Sequence, residues 1–158
     1  AKGFAWGREI PCYGVSTLEA MVRSVAYADG IYVAAMDARR SQVYTAAFSC
    51  RGGAITRLVD DCAISLEELR EILRPWKETK FLVGDGAQLC YNTLGSDMDG
   101  LVLLPEQLRQ QRAAGAALLA WDMAKAGQSP SGAELIPNYL RLSQAERERQ
   151  KKLELERG

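Results

Sequence analysis

Two aspartates and a glycine-bracketed turn are the first residues to weigh for chemistry. Asp37 follows the β-rich run 31–36, and Asp85 lies in Gly84-Asp85-Gly86, directly after the apolar run 81–83. Carboxylates at two neighbouring strand ends can hold Mg²⁺ for nuclease-type hydrolysis. That chemistry needs a third or fourth carboxylate, and the sequence does not place Glu67 or Glu68 beside the pair. The commoner role of an Asp in such positions is to open a turn or a helix. Gly84, Asp85 and Gly86 are also weak candidates for cradling phosphate or ribose through backbone N–H groups. The Asp85 carboxylate would repel the anion such a cradle attracts. Arg39 and Arg40 fall in the first hairpin loop, where arginines meet phosphate or an acidic partner when they are more than solvated.

The residue types that are missing narrow the chemistry further. The chain has no His among 158 residues, which excludes His triads, His general bases and H-x-x-x-H zinc sites. Cys12, Cys50, Cys62 and Cys90 form no C-x-x-C pair, and their wide spacing suits reduced, mostly buried thiols of a cytoplasmic protein. A nucleophilic Cys would want a His partner. Lys and Arg total 20, as do Asp and Glu, so no long-range field argues for DNA or a membrane surface. No apolar run reaches the ~18 residues of a membrane span, and residues 1–7 lack the apolar region of a signal peptide.

The elements that must position these residues follow from capping and periodicity. Ser16 and Glu19 read as a capping box opening a helix with the stripe Leu18, Met21, Val22, Val25, ended by Asp29-Gly30. Three β-rich runs follow, at 31–36, 43–48 and 54–59, joined by connections short enough for antiparallel hairpins. Ser65 and Glu68 repeat the capping box before Leu66, Leu69, Ile72, Leu73 and Trp76. Buried strands are expected at 81–83 and 101–104, a helix around 87–94, and one long helix over 107–125. Ala and Gly within that last helix suit either close helix packing or simple propensity. An extended segment spans 136–141, and a charged, solvated helix is expected over 143–158. A β-meander followed by α-β-α-β-α gives an α/β domain with a mixed sheet of order 3-2-1-4-5, the ribonuclease-H-like arrangement. Strands one and four then lie side by side, and their carboxyl ends share the edge where ligands of open α/β sheets sit.

The stretches Ala1–Ala5, Pro11–Ala20, Met36–Tyr44, Gly84–Ala87, and Pro137–Arg141 with Gln144-Ala145-Glu146, taken in this order, resemble the TsaB (YeaZ) family of tRNA threonylcarbamoyladenosine biosynthesis. Ser41 stands where the family pattern usually has Gly. The resemblance implies the C-terminal half of a duplicated actin-like fold, with residues 1–14 the remnant of a preceding helix and linker from a missing N-terminal subdomain. Residues 15–142 would then form the ribonuclease-H-like subdomain. It further implies a non-catalytic subunit with no cofactor, supporting TsaD and, through it, TsaE and tRNA, in which the metal-binding His residues belong to TsaD. A homodimer would form through the missing half, and Arg39, Arg40, Tyr139 and Arg141 are the candidate partner contacts here. An old M22 glycoprotease label for such sequences fits poorly with a chain lacking His. The competing readings are a metal-dependent nuclease built on Asp37 and Asp85, or half of an actin-like phosphotransferase.

Overall fold

The computed structural model describes residues 2–5, 7–8 and 10–141. The charged helix expected over 143–158 lies outside the described residues. A five-stranded sheet has the order β3-β2-β1-β4-β5, as the element order requires. Strands β1 (Gly30–Arg39), β2 (Gln42–Arg51) and β3 (Ala54–Ser65) form the antiparallel meander. Strands β4 (Lys80–Val83) and β5 (Leu101–Leu103) continue it in parallel from β1.

The meander strands run well past their apolar segments. Asp37 does not end β1: pairing with β2 continues through a bulge between Asp37 and Arg39, leaving a tight turn at Arg40-Ser41. Polar residues at strand ends carry no apolar signal, so hydrophobic pattern alone stops each strand short. The β5 strand is likewise less buried than expected. It is the sheet edge, and Val102 is exposed.

Helices cover both faces, which is why Ile31–Ala35 of β1 are buried without alternation. On one face, α3 (Leu66–Leu73) and α4 (Ala87–Leu94) pack over Val33, Ala35, Val43 and Leu82. The Ser65/Glu68 capping box is complete there, with each side chain serving the other residue's backbone N–H. On the other face, α2 (Thr17–Arg23), which follows the single-turn α1 (Lys2–Ala5), buries Leu18, Met21 and Val22, with Val25 just beyond its end, against Tyr32, Ala34 and Phe48. This helix stops before Ser24, earlier than Asp29-Gly30; Gly30 instead opens β1, and Asp29 accepts from the Gly52 N–H across the hairpin end.

Its cap also departs from the box pattern. Ser16 accepts the Glu19 N–H, but the Glu19 carboxylate pairs with Arg57 of β3 instead of returning to the cap. Arg57 also holds Asp61 at 2.6 Å, and Asp61 accepts from the Ser16 hydroxyl at 2.6 Å. Burial lowers the affinity of Arg57 for its proton, but the hydrogen bonds it donates to Asp61 and Glu19 outweigh that and hold its pKa above the usual value. This network ties the start of α2 to the outer strand.

The long helix expected over 107–125 is two helices, α5 (Glu106–Arg109) and α6 (Ala113–Lys125). Gln110 turns to extended geometry, and the Arg109 carbonyl accepts the Gly84 N–H at 3.0 Å. After this break α6 lies against α2. A Cβ at Gly115 would sit 1.9 Å from the Ala20 carbonyl oxygen and 2.4 Å from Ser24 Oγ, so close approach, and not propensity, fixes that glycine. Gly115→Val is therefore expected to cost about 2 kcal/mol or more by overpacking. Urea unfolding should show the lower midpoint, with hydrogen exchange in α6 rising before that of the sheet.

Lys80 is buried at the start of β4, and its ammonium donates to the carbonyls of Glu78 and Asp99 at 3.1 and 3.3 Å. Burial pushes its pKa below the ordinary lysine value. The unfolded chain then holds the extra proton up to about pH 10.4, so stability rises with pH between the lowered value and that limit. Denaturation midpoints measured from about pH 8 to about pH 10 should rise for the natural chain relative to Lys80→Met, whose curve lacks this contribution.

Candidate functional site

The carboxyl ends of β1 and β4 do not share an edge as expected. Strand β4 ends at Val83 beside Ala34, while β1 runs on to Arg39, and glycine lets the chain leave β4 against the side of β1. After Val83, β4 no longer flanks β1, and the chain crosses over β1 at Ala35–Asp37 through Gly84–Gly86. Gly84 takes φ +104°, and a Cβ there would lie 2.1 Å from the Ala35 carbonyl oxygen. Gly86 donates its N–H to that same oxygen at 3.0 Å, and a Cβ on it would lie 2.9 Å from the Asp37 nitrogen. Both glycines are thus committed to packing against β1. Gly86 caps α4 without any side-chain hydrogen bond, while Asp85 between the glycines is exposed.

Asp37 is engaged locally. Its carboxylate accepts the Arg39 N–H at 2.7 Å, bracing the hairpin turn. Among the described residues, no group of three or more His, Cys, Asp or Glu side chains converges as a metal would require. Two of the thiols are held away from nucleophilic form: burial pushes Cys90 up to about 12, and burial followed by the Asp61 charge raises Cys62.

The hairpin itself is strained. Arg39, Arg40 and Ser41 have φ of 62°, 54° and 56°, three consecutive left-handed residues without a glycine. Each costs roughly 1–2 kcal/mol relative to ordinary backbone. Gly at position 41 would adopt this geometry freely. Arg39 and Arg40 are exposed, and neither guanidinium has a hydrogen bond or ion pair among the described residues. Arg141 reaches the same hairpin and donates to the Ala38 carbonyl at 3.3 Å.

Beside this hairpin runs an open groove of about 1260 Å³ between the 135–141 segment and the sheet. Met36 and Tyr44, paired across β1 and β2, line it with Tyr13, Ile136, Tyr139 and Arg141. The structure therefore brings together Arg141, Tyr139 and the hairpin of Arg39 and Arg40. Asp85 and the two glycines stay at the β1–β4 junction. Tyr13, Tyr44 and Asp61 were not singled out by sequence, because residues from six separate stretches of the chain build the groove and no local spacing marks them.

Comparison with known proteins agrees with this architecture. Residues 1–148 match the family described as TsaD: tRNA N6-adenosine threonylcarbamoyltransferase. The tRNA threonylcarbamoyladenosine biosynthesis protein TsaB of Bacillus subtilis (strain 168) is 29% identical over 146 residues, covering 92% of this chain and 62% of that protein. YeaZ from Pseudomonas aeruginosa superposes with a TM-score of 0.69 at 21% identity, over 88% of this chain and 64% of that one. A second Pseudomonas aeruginosa structure, of an uncharacterized protein with similarity to the peptidase YEAZ, gives 0.69 at 20% identity, over 89% of this chain and 63% of that one. The chain thus spans less than two thirds of each of these relatives. With the five-stranded mixed sheet of order 3-2-1-4-5 in place and the family match running across the described residues, the chain belongs to the tRNA N6-adenosine threonylcarbamoyltransferase (TsaD) family and within it is similar to the TsaB and YeaZ proteins.

Proposed function

We propose that this protein acts in tRNA N6-threonylcarbamoyladenosine synthesis as a non-catalytic partner of a TsaD-type transferase. The observation that carries the reading is a member of this family with no His in its sequence. Asp37 engaged in a turn and cysteines of raised pKa support it, since neither is poised for acid–base or nucleophilic work. In this reading residues 15–142 are the C-terminal unit of a duplicated actin-like fold. TsaD supplies the transfer chemistry and brings TsaE and tRNA, and the protein works in the cytoplasm. No helix among the described residues is long and apolar enough to cross a membrane.

The same features weigh against peptidase chemistry. A Cys held near 12 is a thiol at neutral pH, and no imidazole is present to deprotonate it. A reconstitution tests the proposal: transferase, threonylcarbamoyl donor and unmodified tRNA, with and without this chain. Modified adenosine, read by mass spectrometry of digested tRNA, is expected to rise when the chain is added and to be absent with the chain alone. Modification by the chain alone, or an undiminished yield without it, would overturn the reading.

A further inference from the structure

We propose that the groove beside the β1–β2 hairpin, together with the hairpin tip, binds a single-stranded stretch of RNA. The inference rests on the tRNA-directed reading above for its choice of nucleic acid; the physical case is local. The groove presents Tyr139, 81% exposed, beside the half-buried Tyr13 and Tyr44. Tyrosine faces in an open, solvated channel stack unpaired bases without regard to sequence. At about 1260 Å³ and open along its length, the groove suits a chain segment better than an enclosed small molecule.

Cations stand where a backbone would run. Lys2 and Arg141 line the groove, and Arg39 and Arg40 occupy the tip of the adjoining hairpin. Arg141 spends one N–H on the Ala38 carbonyl, and a guanidinium carries five. The carboxylates nearby are largely answered: Asp61 by Arg57 and Ser16, and Asp37 by the Arg39 N–H. Asp85 is the exposed acid on the loop abutting Asp37. The left-handed turn holds Arg39 and Arg40 at the tip in a costly backbone, and strain of this kind concentrates at binding and switch sites. An acidic peptide would use the arginines and leave the tyrosine faces idle, whereas RNA engages both.

Fluorescence anisotropy of the full chain with a labelled, unstructured RNA of about 12 nucleotides tests this. Binding is expected in the ~10⁻⁵ M range at low salt, weakening as salt rises. Replacing both hairpin arginines (Arg39→Ala with Arg40→Ala) should weaken binding at least tenfold and flatten the log–log salt slope by about 1.4, two phosphate contacts at ~0.7 each. Tyr139→Ala, at an exposed position, should weaken binding about tenfold while leaving the slope unchanged. That split separates stacking from charge, and a general loss of structure would not produce it. The proposal falls if no binding occurs at low salt, or if binding ignores both variants. It falls equally if a poly-glutamate peptide displaces the RNA at matched charge concentration, which would make this an acidic-peptide site. RNA binding is read without the transferase, so its failure leaves the reconstitution result standing on its own.

Discussion

The constraint on which the rest of the structure depends is the double pairing of β1. Residues Ile31–Ala34 are hydrogen-bonded to β2 on one side and to β4 on the other. Five consecutive buried positions, from Ile31 to Ala35, are the direct result, because helices must then close both faces. Pairing with β4 ends at Ala34–Val83, while pairing with β2 continues to the hairpin tip. An unpaired Ala35 carbonyl inside this junction would be costly. The chain answers it with the Gly86 N–H, which requires a crossing so close that only glycine fits at 84 and 86. The Gly84-Asp85-Gly86 turn is thus explained by sheet closure before any ligand is invoked.

The fold was legible where a local rule controls it. Leu18, Met21 and Val22 announce one apolar helix stripe, and Ser65 with Glu68 announces a helix start; these serve as read, while Val25 joins the same core from beyond the helix end. The strand order follows from short hairpins and helical crossovers, which leave few alternatives. Legibility failed where a distant residue decides. Glu19 has the spacing for a reciprocal cap but answers to Arg57, thirty-eight residues away. The helix expected over 107–125 breaks at Gln110, beside a backbone bond from Gly84 to Arg109 that no periodicity reveals. Lys80 gives no sign in sequence of being buried, because its partners are carbonyls rather than a carboxylate.

The same division applies to the candidate site. Arg39 and Arg40 were visible as a pair in a loop, and Arg141 and Tyr139 through family resemblance. That these residues meet was invisible, since Arg141 reaches Ala38 across more than a hundred residues. The departure at Ser41 gains meaning only from φ: the turn keeps left-handed geometry even without the glycine that would relax it. Backbone geometry at this hairpin is therefore imposed by the β1–β2 register and the Asp37 brace, with the local preference of its residues overridden.

Equal numbers of acids and bases argue against long-range steering by this chain, yet they do not decide what happens on contact. At physiological ionic strength, charges more than about 8 Å apart scarcely interact across solvent. A phosphate at the hairpin would thus respond to the charges within reach, whatever the sum over 158 residues. Several acids are already occupied by cations elsewhere: Glu19 and Asp61 are committed to Arg57, and Asp122 to Arg23. Arginines at the hairpin tip have no such partner among the described residues. Because the overall field is weak, association should depend little on long-range attraction, and contact lifetime should carry most of the salt dependence. A chain of balanced charge can in this way hold a charged strand on contact while doing little to draw it in.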